Sequence, residues 1–326
     1  MTPAHRLPLA ELEALVHRDP GGRRLPSARE HGQYLDAGQL GLAAESLAGA
    51  RSVAIVTGFC TLAADPPAAE TDGPPGALYL ARALRELGIR VQLITDCYTA
   101  PVLAAGCRYL RLPEDIIVEA PWQAGDPRAA DRCFAWCLDM AGGSDWTHLI
   151  AVERPGPAHA GAGGGNCHNM RGVVIDAVTA PLHALFEAAS ALARPIKTIG
   201  MADGGNEIGV GQLSWQQVRQ ALADPAADKI ICRVPTDWLL LAGVSNWAAY
   251  ALAGSVCVLR DRRALIANWS VENHGRLIET LVCEGGAVDG TTGIRQPSVD
   301  GLPLVQYLST LEAIQQLLTK YGSTEK

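Results

Sequence analysis

From residue 51 onward, short β-branched apolar runs alternate with Ala/Leu-rich segments of helical period. The run VAIVTGF at 53–59 reads as a strand covered on both faces. Residues 76–87 place Leu80, Ala83, Leu84 and Leu87 on one helical stripe, which Gly88 stops. RVQLIT at 90–95 is the next strand, completing a β-loop-α-β unit of the length that a right-handed parallel crossover needs. Further strands are expected at 116–118, 148–152 and 196–201. Helices are expected at 129–141, at 181–193 with Thr179 as cap and Pro181 in the first turn, and at 214–223 behind Ser214. The uncharged stretch 238–259 reads as a buried helix, 239–252, followed by a strand, 255–259, and helices near 270–283 and 302–320 close the chain. This alternation predicts an α/β fold: a doubly wound, mostly parallel sheet with helices on both faces, in one large domain spanning 51–326. Residues 1–50 show no strand pattern and are broken by DPGGRRLP, so they read as a helical N-terminal appendage.

Composition narrows the class. The chain has 326 residues, 48% of them hydrophobic and 19% charged, enough for a sizeable core. Acidic residues outnumber basic ones 34 to 27, with Arg23-Arg24 and Arg262-Arg263 the densest basic spots. Binding to nucleic acid or to an anionic membrane surface is therefore not expected. The 9 cysteines form no CxxC, which argues for a reducing compartment rather than a disulfide framework or structural zinc. The 22 uncharged residues at 238–259 are long enough to cross a bilayer, but Gly243, Ser245, Asn246, Gly254 and Ser255 interrupt them and favour burial in a soluble protein. A small-molecule ligand and a cytoplasmic location are expected, and nothing in the sequence opposes a homo-oligomer.

Ligands in doubly wound folds gather beyond the carboxyl ends of the strands, and four loops placed there carry unusual chemistry. ETDGPPGA at 70–77 sets Glu70, Asp72 and Gly73 just ahead of a helix whose free amides favour an anion. The stretch 153–172 holds 6 glycines among Glu153, Arg154, His159, Asn166, His168, Asn169 and Arg171, a mixed polar set suited to a pocket wall. Asp203, Asn206 and Glu207 crowd oxygen donors into five residues, as hard cations require. Ser245 and Asn246, inside apolar sequence, need partners that ligand or backbone can supply. The loop DGTTG at 289–293 has a weaker anion-binding look, and no dinucleotide, P-loop, serine-hydrolase or zinc-protease motif occurs.

VTGF at 56–59, ETDGPPGA at 70–77, ERPG at 153–156, GGGNCHNMRG at 163–172, GMADGGNEIGVG at 200–211 and GVSNW at 243–247 resemble the D-glutamate cyclase-like C-terminal domain family over roughly residues 40–320. The two-domain eukaryotic members carry a hydro-lyase-like domain ahead of this region and are mitochondrial. The resemblance implies a lyase that closes D-glutamate into 5-oxo-D-proline with loss of water. For that chemistry, Glu153, Asp203, Asn206 and Glu207 are the candidate ligands of a divalent cation, Mg or Mn, that polarises the γ-carboxylate. His168, Glu207 and Asp203 are the candidate catalytic residues, His168 moving the proton. Glu70 or Asp72 would hold the ammonium. Arg154 or Arg171, with the backbone at Gly164 and Gly165 and the amides Asn166 and Asn169, would hold the α-carboxylate. No nucleotide or redox cofactor is needed, and carboxylates acting without a metal satisfy the same chemistry. Two other readings fit the acidic loops: a metal-dependent hydrolase or phosphoryl-transfer enzyme, and a domain that binds an acidic metabolite without turnover.

Overall fold

The computed structural model describes residues 7–161 and 163–320. After helices α1 (Leu9–Val16) and α2 (Gln39–Ala48), the chain lays down β1 (Ser52–Thr57), β2 (Arg90–Thr95), β3 (Ile117–Glu119), β4 (His148–Val152), β5 (Lys197–Ala202) and β6 (Trp238–Leu241). These form one 6-stranded sheet in the spatial order β3-β2-β1-β4-β5-β6, parallel at every step. The chain winds from β1 to one edge, returns to β4 beside β1, and winds to the other edge. That reversal opens a crevice beyond the carboxyl ends of β1 and β4.

Side-chain alternation along the strands builds two cores. Val53 and Ile55 of β1 join Leu93, Ile150, Ile199 and Leu240 in one cluster; Ala54 and Val56 join Ile94, Leu149, Ala151 and Leu241 in the other. The first is covered by α2, α3 (Pro74–Glu86) and α4 (Ala100–Leu110). The second is covered by α5 (Ala129–Gly143), α6 (His183–Ala191) and α7 (Trp215–Leu222). Returning to the first face, α8 (Ser245–Leu259), α9 (Val271–Cys283) and α10 (Leu304–Lys320) complete that layer. Helices on both faces of a parallel sheet are the architecture that the sequence pattern predicts.

Three local expectations change. At 238–259 the order is reversed: a strand at 238–241 pairs with β5, and one helix fills 245–259. The helix is apolar all round, so it shows no amphipathic stripe, and its β-branched end, SVCVL, imitates a strand. The helix expected at 181–193 occupies only 183–191; Leu182 stands at its N-cap and Thr179 lies outside it. Ser214, by contrast, caps α7 as expected, accepting from the Gln217 amide while Gln217 reaches back.

Residues 7–50 also contain a short antiparallel hairpin, Arg29–Glu30 against Gln33–Tyr34, where no strand was expected. Leu12, Val16, Leu40 and Leu47 share the core of the first sheet face, and Leu25 joins the core of the second. The turn after α1 presses on the β6–α8 loop so closely that a Cβ at Gly243 would lie 1.7 Å from the Arg18 carbonyl oxygen. No described helix is long and apolar enough to cross a membrane.

Candidate functional site

Asp72 stands one residue ahead of Gly73, the N-cap of α3, and its carboxylate is held from the start of α8. Oδ2 accepts from the Ser245 amide at 2.8 Å; Oδ1 accepts from the Asn246 amide at 2.9 Å and the Gly73 amide at 2.9 Å. Asn246 answers in the other direction: its Oδ1 accepts from the Gly73 and Gly76 amides, at 3.1 and 2.8 Å. The helices therefore cap each other, and the α3 amides expected to await an anionic ligand are filled by Asn246. Ser245 donates its hydroxyl to Glu153 Oε2 at 2.5 Å.

Glu153 is the first residue after β4 and has φ 46°, a left-handed backbone uncommon for a residue with a side chain. Gly73, at φ 95°, lets the β1 and β4 loops close together, since a Cβ there would lie 2.8 Å from Thr57 Oγ1 and 2.9 Å from Glu153 Cβ. Asp203 follows β5. Asp72, Glu153 and Asp203 each place a carboxylate oxygen within 4.8 Å of the others. Glu70, Glu153, Asp203, Asn206 and Glu207 line one cavity of about 300 Å³ at the crevice, walled further by Phe59, Thr61, Leu62, Asn169, Met170, Arg171, Gly290 and Thr291. Arg23 enters the same wall, with Nε 3.3 Å from Asp203 Oδ2 and Nη2 3.1 Å from Asp300 Oδ1.

Burial of so many acids shapes their protonation. Glu70 is pushed well above the carboxylate range by desolvation, then by Asp300 and Asp72. Asp72 is raised by desolvation and Asp300, against the pull of its three amide donors. Glu153 is raised by desolvation, then Asp203 and Glu207; Asp203 is raised by desolvation although Arg23 opposes it. A cluster of this kind stays charged only beside cations and otherwise keeps protons. Asp203 Oδ2, Asn206 Oδ1 and Asp300 Oδ2 are buried acceptors without a hydrogen-bond partner among the described residues. Asp203 and Asn206 lie on the cavity wall, and their oxygens belong to a donor set that fits a hard divalent cation or a substrate ammonium.

The expected residues divide sharply. Glu70, Asp72, Gly73, Glu153, Asp203, Asn206 and Glu207 meet, with Ser245 and Asn246 buttressing the acids rather than lining the cavity. Asn169 and Arg171 reach its wall. The close carboxylate set is Asp72, Glu153 and Asp203, whereas Glu207 closes the 203–207 turn by accepting from the Gly204 and Gly205 amides at 2.9 and 2.7 Å. Arg154 is drawn away from the cavity: its guanidinium is 1% exposed and donates to Asp96 Oδ2, Gly58 O and Ala180 O. His168 is buried against the Asn166 carbonyl, and Gly164, Gly165 and Asn166 lie in the outer turn, none of them on the cavity wall. Arg23 and Asp300 are the residues that sequence reading misses. The pair Arg23-Arg24 and the hairpin signal Asp300-Gly301 are visible in the chain, but neither says which loop they will meet.

Two likenesses accompany this geometry. The family described as D-glutamate cyclase-like, C-terminal, matches residues 12–317. The human protein named D-glutamate cyclase, mitochondrial, is 32% identical over 339 aligned positions, which cover 95% of this chain and 51% of that protein. The chain thus spans about half the length of the curated relative that it matches.

Proposed function

The chain belongs to the D-glutamate cyclase-like, C-terminal family, and from that premise we propose that it is a lyase converting D-glutamate to 5-oxo-D-proline and water. The observation that carries the reading is the gathering of Glu70, Glu153 and Asp203 on the wall of one small cavity with Asp72 close beside Glu153 and Asp203, each held above the ordinary carboxylate range by burial.

The reaction has simple requirements. The α-nitrogen attacks the γ-carboxyl carbon, a C–N bond forms and a C–O bond breaks. Two protons pass from the ammonium nitrogen to the departing γ-oxygen, so charge is conserved. Carboxyls that burial holds above their ordinary range serve both ends of this transfer, one accepting from the ammonium and another donating to the oxygen. Glu70, beside Asp300, offers the ammonium a partner on the cavity wall. Glu153, whose Oε2 is fixed by Ser245, is the residue that we assign to proton transfer at the reacting carboxyl. In place of the protons that they otherwise keep, Asp72, Glu153 and Asp203 would hold a divalent cation, which would then supply electrostatic stabilisation of negative charge on the γ-carboxyl oxygens instead of proton transfer by Glu153. Asp72 is oriented for either task by amide donors from two helix starts. Walls formed by Phe59, Leu62 and Met170 limit water at the ring-forming atoms.

The test is incubation of purified protein with D-glutamate and, separately, L-glutamate, with and without Mg²⁺ or Mn²⁺, followed by chiral chromatography. Protein-dependent 5-oxo-D-proline from the D-isomer is the expected result, and stimulation by the cation is expected if the three carboxylates hold one. Folded protein that forms no 5-oxoproline under any of these conditions contradicts the reading.

A further inference from the structure

Accepting the cyclase reading, we propose that Arg23 grips the carboxylate of the substrate that does not react, and so selects an amino acid bearing a second carboxylate over a simple ω-amino acid. Three observations point this way. The first is position. Arg23 comes from the turn after α1, far in sequence from every strand-end loop, yet its side chain lies on the cavity wall and is 21% exposed there. The second is availability. Its guanidinium is ion-paired 3.3 Å from Asp203 and 3.1 Å from Asp300, without a hydrogen bond to either among the described residues, so its planar donors can turn to an incoming oxygen pair. The third is local construction. The Arg23 and Arg24 amides both donate to the Asp19 carboxylate at 2.7 Å, and Leu25 is wholly buried beyond them. The backbone is therefore fixed without help from the guanidinium, which is placed over the acids by the chain on either side.

Charge assigns the role. A fork on a carboxylate stabilises its anionic ground state, which suits a spectator group and would hinder a carboxyl that must accept a nucleophile. The reacting carboxyl belongs with Glu153, which lines the cavity and is almost fully buried, with Asp72 behind it. Arg171 also reaches the wall but stands exposed, where water screens it. Arg154 is committed to Asp96.

Two zwitterions of equal net charge test the assignment. D-2-aminobutyrate keeps the ammonium and the spectator carboxylate; 4-aminobutyrate keeps the ammonium and the reacting one. Their binding is measured by calorimetry on wild-type protein, R23Q, R23K and R171Q, alongside the KM and kcat for D-glutamate. R23Q should weaken D-2-aminobutyrate by about 10- to 100-fold, the range of a charge-assisted bond, and leave 4-aminobutyrate unchanged. The same variant should raise KM for D-glutamate more than it lowers kcat. R23K, which keeps the charge and loses the fork, should fall between, and it carries the test if R23Q does not fold. Equal weakening of both ligands would reduce Arg23 to general neutralisation of the acids and overturn the assignment, as would loss of D-2-aminobutyrate in R171Q but not in R23Q. Wild-type protein that neither binds these ligands nor converts D-glutamate would refute the cyclase reading and this inference with it. Conversion without discrimination by R23Q would refute the inference alone.

Discussion

Arg154 and Arg23 carry the same guanidinium to opposite ends. Arg154 sits directly beside Glu153 in sequence, yet it turns into the protein, where Asp96 Oδ2 and two carbonyl oxygens surround it at 2.6–2.7 Å. Arg23 lies 131 positions earlier and faces the cavity. The sequence offers Arg154 or Arg171 as the ligand-binding residue; only the completed fold shows that Asp96, at the end of β2, claims Arg154 first. Breaking that pair should act on stability. Arg154→Met would leave the Asp96 carboxylate buried without its partner, at a cost of about 3–5 kcal/mol, read from the urea midpoint. A midpoint close to that of the wild type would show that Asp96 is solvated or otherwise paired.

At the scale of elements, α3 and α8 are held together by exchanged caps: Asp72 on the start of α8, Asn246 on the start of α3. Behind them, His274 of α9 stacks on Tyr79 of α3 with ring centroids 3.8 Å apart, and neither ring nitrogen has a hydrogen-bond partner among the described residues. Burial, reinforced by Arg82, pushes His274 down to about 3. A histidine depressed in the folded state contributes stability above its unfolded value of about 6.5 and loses it as pH falls toward the folded value. Between pH 7 and pH 5 that loss amounts to about 2 kcal/mol. His274→Phe should remove it, so urea unfolding of the variant should fall less between those two pH values than that of the wild type. An identical pH dependence in both proteins would place the acid-labile group elsewhere. The elements themselves differ in how openly the chain displays them. The strands at 90–95 and 148–152 have the bounds expected because short β-branched runs end at polar residues or turns. The helix at 245–259 reads in part as a strand because full burial erases the periodicity by which helices are recognised.

For the whole molecule, the parallel sheet and its two-sided helical cover follow from the alternation of periods, and the strand reversal between β1 and β4 decides where a site can lie. The acidic loops after β1, β4 and β5 are legible because their composition exceeds what a turn needs. Their completion by Arg23 and Asp300 is not, since it depends on contacts between chain segments 180 and 277 residues apart. On the proposed reading, buried carboxyls at this reversal move the protons of a ring closure, with Glu153 foremost: it stands at the end of β4, in a strained backbone conformation, beside Asp72 and Asp203. The most direct measurement is the turnover of D-glutamate by Glu153→Gln, which keeps the size of the side chain and removes its acid, with substrate affinity measured in parallel. In this variant kcat is expected to fall by about 10²- to 10⁴-fold while D-glutamate still binds. A kcat equal to that of the wild type would contradict it.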